Sequence, residues 1–268
     1  MRTVLSFDDL QRQIAEIRAL RLGWMTNFFP NPARHGLWIA KRACFTERVG
    51  NTLFIIRKSP SFWNVFYCAV SVDALVSDWE AFVSENQVVM MVIDIVGREA
   101  QCAPLTALFT AAGCRETASF VRMTRMAEPM PYTPDASVRP ATGSDLPRIS
   151  GLLHRFFDER AEQIPYDGEL ALFADQKRIL VCEVDGMLAG FLIFELSSAT
   201  LGLRYWFTHP DFRGRKVGSR LLRRMLYEGK DTRRQLLWVM RTNTDAIGKY
   251  RHYGFAEEDM VDHVMQYD

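Results

Sequence analysis

The sequence carries almost no net charge. Its 33 lysines and arginines are balanced by 32 aspartates and glutamates, which leaves a formal net charge of +1. A protein with general affinity for nucleic acid needs a strongly positive surface to neutralise phosphates. The balanced charge therefore argues against nucleic acid as a partner.

Cysteine and histidine are scarce. The five cysteines are odd in number and form no Cys-x-x-Cys pair, and the five histidines show no His-x-x-x-His spacing. These absences argue against a disulfide framework and against a metal site. We expect reduced, mostly buried thiols and no metal.

Long apolar runs are also missing. The longest, Val88 to Val96, contains Asp94 and is much shorter than the about 20 residues that span a bilayer. Near the first residue, Asp8 and Asp9 precede any possible signal-peptide core. With 48% hydrophobic and 24% charged residues, the composition is that of a globular protein, so we expect a cytoplasmic location and no membrane partner.

Three short motifs with well-defined chemistry are absent. The sequence contains no Walker loop, no Gly-x-Gly-x-x-Gly fingerprint and no Gly-x-Ser-x-Gly nucleophile elbow. Their absence argues against a P-loop nucleotidase, a dinucleotide-binding enzyme and an α/β-hydrolase.

One stretch nevertheless has the pattern of a phosphate site. The apolar run Leu203 to Thr208 predicts a strand, a basic turn follows over 213–218, and the spacing of apolar residues predicts a helix that opens at Ser219. The first N–H groups of a helix have no internal partner and lie at the positive end of its dipole. Glycines at 214 and 218 allow the backbone to approach an anion closely. The alternative is an ordinary turn with a solvated basic face.

A second pattern follows the predicted strand 235–241. Asn243 can cap the helix predicted over 244–253, and the small Ala246 leaves room for a ligand chain. Tyr250 lies one helical turn further on the same face, and a phenol with a pKa near ~10 can donate a proton at neutral pH. The alternative for Tyr250 is a core aromatic.

Together the two stretches resemble the GCN5-related N-acetyltransferases, the GNAT superfamily. In the loop pattern Arg/Gln-x-x-Gly-x-Gly/Ala, Arg213 and Gly218 fill the first and last positions, while Lys216 replaces the middle glycine. The second pattern, Asn-x-x-Ala-x-x-x-Tyr-x-x-x-Gly-Phe, is filled completely from Asn243 to Phe255. The resemblance covers 138–268 well and 1–126 weakly.

The resemblance implies transfer of acetyl from acetyl-CoA to a primary amine by direct attack in a ternary complex. The donor is expected between the strands 203–208 and 235–241, with pantetheine along Phe207 and Thr208 and pyrophosphate on the amides from Arg215 to Ser219. Tyr250 would be the general acid. The residues that the resemblance implies for cofactor binding are Phe207, Thr208, Arg213, Gly214, Arg215, Lys216, Val217, Gly218, Ser219, Asn243 and Ala246.

Other roles stay open at this point. Arg220, Arg223 and Arg224 either contact a ribose phosphate or form a solvated helix face. Because the strand 203–208 has no carboxylate, the general base is a water or Glu195. The acceptor is a small-molecule or peptide amine. The alternative function is a coenzyme A-binding sensor or scaffold without turnover: Tyr250 favours the enzyme, while the missing carboxylate and Lys216 favour the sensor.

The chain has the pattern of a repeat. The segments 108–116 and 249–257 both read as helix, glycine and strand at the same spacing, and the prolines at 129, 131 and 134 indicate a linker. We expect an α/β (α+β) fold of two tandem GNAT-like domains, each a mixed, mostly antiparallel twisted sheet flanked by helices. The domains are 1–126, a degenerate copy, and 138–268, the catalytic copy, joined by the linker 127–137. The first copy lacks the loop, since only 71–74 separate its strand from its helix.

Further elements follow from periodicity and turn signals. We predict a helix over 5–22, paired strands over 53–57 and 62–70, a helix capped by Asp73, a buried strand over 88–96, and a strand pair over 115–125. Asp185-Gly186 predicts a type I′ hairpin turn. The last strand, 257–268, is expected to close the sheet of the second domain.

Overall fold

The computed structural model describes residues 1–86, 90–128, 131–197 and 199–268. Val88 and Val89 of a predicted strand, and Pro129 and Met130 of the predicted linker, lie outside the described residues. In chain order the elements are β1 Arg2–Thr3, α1 Phe7–Ala19, β2 Met25–Thr26, α2 Pro32–Ala40, β3 Cys44–Val49, β4 Thr52–Lys58, β5 Trp63–Ala69, α3 Val72–Glu85, β6 Met91–Gly97, α4 Glu99–Ala111, β7 Arg115–Met126, β8 Val138–Pro140, α5 Leu146–Phe156, α6 Asp167–Asp175, β9 Ile179–Val184, β10 Met187–Leu196, β11 Thr200–Thr208, α7 Val217–Glu228, β12 Arg234–Met240, α8 Thr244–His252 and β13 Ala256–Tyr267.

These elements form two compact units. Unit 1 contains Met1–Ser119, Asp158–Gln163 and Met260–Asp268, and unit 2 contains Phe120–Phe157 and Ile164–Asp259. The units therefore do not coincide with the two halves of the sequence. The domain boundary at 127–137 remains a prediction about the chain. In the ranges that the structure describes, no helix has both the length and the apolar character needed to cross a membrane.

The sheet of unit 1 has the strand order β1-β3-β4-β5-β6-β13, with β2 added beside β5. All pairs are antiparallel except β5 and β6, which run parallel. One face packs on α3 and α4 through an aromatic core that includes Phe54, Trp79, Phe82 and Phe109. Residues spaced three and four apart put Trp79, Phe82 and Val83 on the buried side of α3.

The sheet of unit 2 has the order β8-β9-β10-β11-β12-β7, and only β11 and β12 run parallel. One core packs against α7 and α8, and a second core packs against α5 and α6. Both units thus have one parallel pair at the same place in a mostly antiparallel sheet, and the strand orders correspond. This confirms the predicted fold class and the repeat.

The pairing of the long strands corrects two predictions. The segment 115–125 is part of one continuous strand, β7, instead of a strand pair. The C-terminal strand was expected to complete the second sheet, but Val261–Tyr267 pair with β6 in unit 1, whereas Phe120–Met126 pair with β12 in unit 2. Period-two burial identifies a strand but carries no information about which neighbour it joins.

Several boundaries also differ from prediction. Helix α7 begins at Val217, two residues before the predicted start at Ser219, because Lys216 takes the N-cap position in a left-handed conformation. Helix α3 is capped by Ser71, whose hydroxyl accepts from the Ala74 amide, and not by Asp73. Helix α2 was not predicted from the sequence, in which an aromatic segment precedes residues 32–40. The Asp185-Gly186 turn is confirmed, since both residues have positive φ.

Candidate functional site

Strand β11 contains a β-bulge. Leu203 pairs with Phe194 of β10 and Tyr205 pairs with Ile193, so that Arg204 is the extra residue. The bulge reverses the inward-outward alternation: Leu203 lies in the core against α7, whereas Tyr205 lies in the core against α5 and α6. The buried side chains of β11 therefore pack into one core before the bulge and into the other core after it.

The parallel ladder between β11 and β12 is short. It runs from Thr200–Arg234 to Leu203–Leu237 and ends there. Beyond it, Arg204–Thr208 of β11 and Trp238–Met240 of β12 are not paired with each other. We call the opening between these two segments the splay. Because the backbone edge of β11 is open here, it can accept an extended ligand as an added strand. Phe207 and Thr208 lie at the far end of this edge.

The turn after β11 leads to the start of α7. Lys216, the N-cap residue, has φ 60° and ψ 16°, and Gly214 has φ 79°. A left-handed conformation is easiest for glycine and costs other residues ~1–2 kcal/mol. The left-handed conformation explains why the loop pattern has a glycine at position 216. Lys216 adopts this conformation although it is not a glycine.

The first turn of α7 presents free donors. Among the described residues, the amides of Val217, Gly218 and Ser219 donate to no backbone acceptor. These are the groups that bind anions at helix N-termini. Arg213 and Lys216 are exposed beside them and add positive charge.

Arg215 contributes less than the sequence predicts. Its amide donates to the Phe212 carbonyl at 3.3 Å, so the predicted run of free amides starts after it. Its Nη1 and Nη2 both donate to Oδ2 of Asp185 at 3.1 Å. The structure therefore turns this side chain toward the β9–β10 hairpin.

Gly218 has a packing role as well as an open amide. A Cβ at this position would lie 3.0 Å from Cζ2 of Trp206 and 3.2 Å from Oγ1 of Thr208. The Trp206 indole also donates to the Gly218 carbonyl at 3.1 Å. The start of α7 thus packs against β11 at a distance that only glycine allows without displacement. Trp206 was not among the predicted site residues.

The second motif surrounds the start of α8. Asn243 caps the helix through its Oδ1, which accepts from the Ala246 amide at 3.1 Å, as predicted. Tyr250 is buried in the core, 5.3 Å from the Trp206 ring between centroids and 6.0 Å from Phe255. Trp206 therefore lies in contact range of both the loop at Gly218 and the helix at Tyr250. The structure brings the two motifs together through this indole.

The arginines of α7 divide into different environments. Arg220 donates to the Ser137 hydroxyl at 3.2 Å and lies 3.5 Å from Asp135. Arg224 pairs with Glu228 at 2.6 Å, and Arg223 is exposed. Of these three arginines, only Arg223 is exposed and has no described partner, as predicted for a solvated helix face.

A pair of opposite charges lies at the bulge. Nη1 of Arg204 is 3.4 Å from Oε1 of Glu195 on β10. Glu169, on the first turn of α6, is buried, and its Oε2 accepts from the Tyr166 amide at 2.9 Å. Burial opposes the charged form of Arg204, but the charge of Glu195, with a smaller effect of Glu169, keeps its pKa above the ordinary arginine value. Neither Arg204 nor Glu169 was identified from the sequence. An arginine in the middle of an apolar strand is the signal that could have identified Arg204.

The corresponding opening in unit 1 is closed by the chain itself. The ladder between β5 and β6 ends at Val65–Ile93, and beyond it Thr26 of β2 pairs with Cys68 of β5. The side chain of Asn27 spans the gap: its Oδ1 accepts from the Tyr67 amide at 2.7 Å and its Nδ2 donates to the Asp94 carbonyl at 2.8 Å. The backbone edge that is open in unit 2 is therefore already paired in unit 1.

The cysteines form no disulfide among the described residues. All five cysteines are buried and unpaired, as predicted, and burial raises the pKa of Cys44 to about 12. Within the described part of the chain, no group of three or more His, Cys, Asp or Glu side chains is arranged to hold a metal ion.

Comparison with known proteins gives a consistent result. Residues 175–257 match the family model described as an Acetyltransferase (GNAT) domain. A 96-residue segment is 31% identical to an uncharacterized N-acetyltransferase of Methanocaldococcus jannaschii and covers 32% of this chain and 42% of that protein. The chain thus matches less than half the length of this curated relative.

Solved structures show the same fold. The GCN5-related N-acetyltransferase from Sphaerobacter thermophilus matches with a TM-score of 0.58 at 15% identity, over 80% of this chain and 76% of its own. A tandem GNAT protein from the clavulanic acid biosynthesis pathway matches with a TM-score of 0.59 at 12% identity, over 98% and 96%. At these identities the likeness shows the fold alone. Residues 175–257 are therefore similar to the acetyltransferase (GNAT) domain, and the fold of the chain is similar to that of a tandem GNAT protein.

Proposed function

We propose that this protein is an N-acyltransferase that moves acetyl from acetyl-CoA to a primary amine by direct attack in a ternary complex. One observation carries the proposal: the splay of unit 2 has an open strand edge that leads to three free helix amides. The equivalent edge of unit 1 is closed by Thr26 and Asn27. This contrast supports one acyl-CoA site per chain, in unit 2.

The residues of the splay fit the chemistry of the cosubstrate. The open edge of β11 near Phe207 and Thr208 supplies backbone groups for the amides of pantetheine. The amides of Val217, Gly218 and Ser219 bind the pyrophosphate, and Arg213 and Lys216 add charge at the rim. At α8, Ala246 leaves room for the pantetheine chain, while the Asn243 side chain also holds the helix start.

Tyr250 is the proposed general acid. Its ring packs beside Trp206, next to the splay. A phenol with an ordinary pKa near ~10 stays protonated at neutral pH and can give its proton to a thiolate as the carbon–sulfur bond breaks. The amine gives one proton to a base and forms the new bond to the acetyl carbon, so that charge and protons balance over the step.

Glu195 is the proposed base, because β11 offers no carboxylate beyond the ladder. Its carboxylate lies on the neighbouring strand, on the α5 and α6 side of the sheet, and is 44% exposed. It reaches the amine directly or through a water. The acceptor is a small molecule or a peptide, and the five unpaired thiols support the predicted cytoplasmic location.

A coenzyme A-binding sensor without turnover is the second candidate. The observation that favours it is the positive charge of Arg204 at the bulge, where β11 itself offers no base. The two functions differ in one measurement, because a sensor binds acetyl-CoA but releases no thiol in the presence of any amine.

Substitution of Tyr250 tests the enzyme. Tyr250→Phe removes only the hydroxyl, so we expect coenzyme affinity to stay within about twofold while kcat falls by roughly 10²–10⁴ when chemistry limits turnover. Tyr253→Phe is the matched control on the same helix end, and it should turn over like the native protein. If Tyr250→Phe also keeps the native kcat, Tyr250 is a packing residue.

A further inference from the structure

Two opposite charges lie side by side where the splay begins. Arg204 is the first residue of β11 beyond the parallel ladder, and its guanidinium is 3.4 Å from the Glu195 carboxylate. The two side chains are 27% and 44% exposed, so both remain accessible to a ligand. In the part of β11 and β12 that lines the splay, Arg204 is the one charged residue.

Neighbouring side chains hold the Arg204 guanidinium in place but do not occupy all of its N–H donors. A guanidinium has five N–H donors in a planar fork. Glu195 accepts from Nη1 at the long distance of 3.4 Å, and the Tyr205 phenol and the charge of Glu169 act on the same group. Donors of the fork therefore remain for a planar anion, and the bulge keeps the guanidinium at the apex of the opening.

We propose that the Arg204–Glu195 pair selects acceptors of the amino-acid class: primary amines with a carboxylate on the adjacent carbon. The inference rests on the function proposed above and names its substrate class. The acceptor carboxylate binds the guanidinium of Arg204, and the acceptor ammonium binds Glu195. An amino acid carries opposite charges on neighbouring groups, so it can place each one against the opposite charge of the pair.

The same contact serves the reaction. When the ammonium lies against Glu195, the carboxylate can receive the proton that must leave before the nitrogen is nucleophilic and pass it to solvent. It can then receive the second proton as the nitrogen bonds to the acetyl carbon. Arg204 then fixes the orientation of the amine through a bidentate bond that a neutral group cannot make. An amine without a carboxylate loses this second point of attachment.

A structural role is the alternative reading of the pair. Partly exposed ion pairs contribute little to stability, but a pair at a bulge can hold the local backbone. A structural role predicts equal losses for every acceptor when Arg204 is replaced. The proposed role predicts a loss that depends on the acceptor carboxylate.

Matched acceptor pairs separate the two. The full chain is assayed by thiol release from acetyl-CoA with phenylalanine and phenethylamine, tryptophan and tryptamine, leucine and 3-methylbutylamine, and lysine and cadaverine. We expect the native protein to prefer an amino acid over its carboxylate-free amine. Arg204→Gln should lower kcat/KM for that amino acid by roughly 10–100-fold more than for the matching amine, mostly through KM. The exposed Arg233→Gln is the control.

Three results decide the matter. If the native protein uses the carboxylate-free amines as well as the amino acids, or if Arg204→Gln lowers both equally, the proposed selection is wrong and the acyltransferase function stands. If no amine of any kind releases thiol, the proposed function itself has failed. In that case saturation-transfer NMR with the same amino acids still tests the pair: binding that is lost in Arg204→Gln supports it, and no binding to the native protein overturns it.

Discussion

Asp94 of β6 carries an electrostatic penalty that depends on pH. The residue is 8% exposed, and its Oδ2 accepts from Nε2 of Gln163 at 2.6 Å. Burial raises the pKa of Asp94 from 3.8 to about 6, although the hydrogen bond from Gln163 offsets part of the effect. Burial and the charge of Asp94 also raise the pKa of the nearby Asp262. Both carboxyl groups belong to unit 1.

The sign of the pH dependence follows from proton binding. Between pH 3.8 and 6, the folded state holds a proton on Asp94 that the unfolded chain has released. Stability must therefore fall as pH rises through this window and stay lower above it. A pKa difference between 3.8 and about 6 corresponds to ~3 kcal/mol, at 1.36 kcal/mol for each pKa unit.

Asp94→Asn removes this penalty and keeps an oxygen that can accept from Gln163. We expect the free energy of unfolding to rise by ~1–3 kcal/mol at pH 7.5 and by almost nothing at pH 4. The assay is urea denaturation of the full chain at both pH values, with the native protein measured beside the variant. Asp73→Asn, at an exposed position, is the control and should change stability by less than ~0.5 kcal/mol.

A different outcome would refute the reasoning. If Asp94→Asn destabilises the protein by the same amount at both pH values, the carboxyl group makes a contact whose loss does not depend on its charge, and burial of the charge does not dominate its energetics. If the variant and the native protein show the same pH profile, another group causes the dependence.

Two further predictions concern the site and the strand pairing. Gly218→Ala should lower the affinity for coenzyme A by roughly tenfold, because its Cβ would press on Trp206 and Thr208, and Gly218→Glu should abolish binding. Gly151→Ala, which has open space around it, is the control and should leave the affinity unchanged; calorimetry measures all three variants. A chain that starts at Pro134 lacks Phe120–Met126, the strand segment beside β12. We expect this shortened chain to expose an unpaired sheet edge and to aggregate. If it is monodisperse in gel filtration and unfolds cooperatively in a thermal melt, this strand segment is dispensable.

Features that depend on neighbouring residues in the sequence were predicted correctly. The basic turn, the capping asparagine and the Asp185-Gly186 hairpin depend on residues a few positions apart, and the structure contains all three. The spacing of the second motif also placed Tyr250 one helical turn after Ala246 on the same face of α8, because helical periodicity fixes that relation.

Features that depend on distant residues escaped prediction. Asn27 closes an opening between β5 and β6, more than thirty positions away in sequence, and no pattern around Asn27 indicates such a contact. The strands that pair with β7 and β13 could not be predicted for the same reason. The bulge at Arg204 depends on the register with β10, which a single strand sequence does not encode. The left-handed Lys216 shifted a helix start that apolar spacing alone had placed at Ser219.

The central claim is that this chain has one acyl-CoA site, in the splay of unit 2. Titration calorimetry of this 268-residue chain with acetyl-CoA tests it most directly. We predict a stoichiometry of one per chain that is lost in Gly218→Glu and retained when Asn27 of unit 1 is replaced by Asp. A stoichiometry of two, or binding that survives Gly218→Glu, would contradict the account.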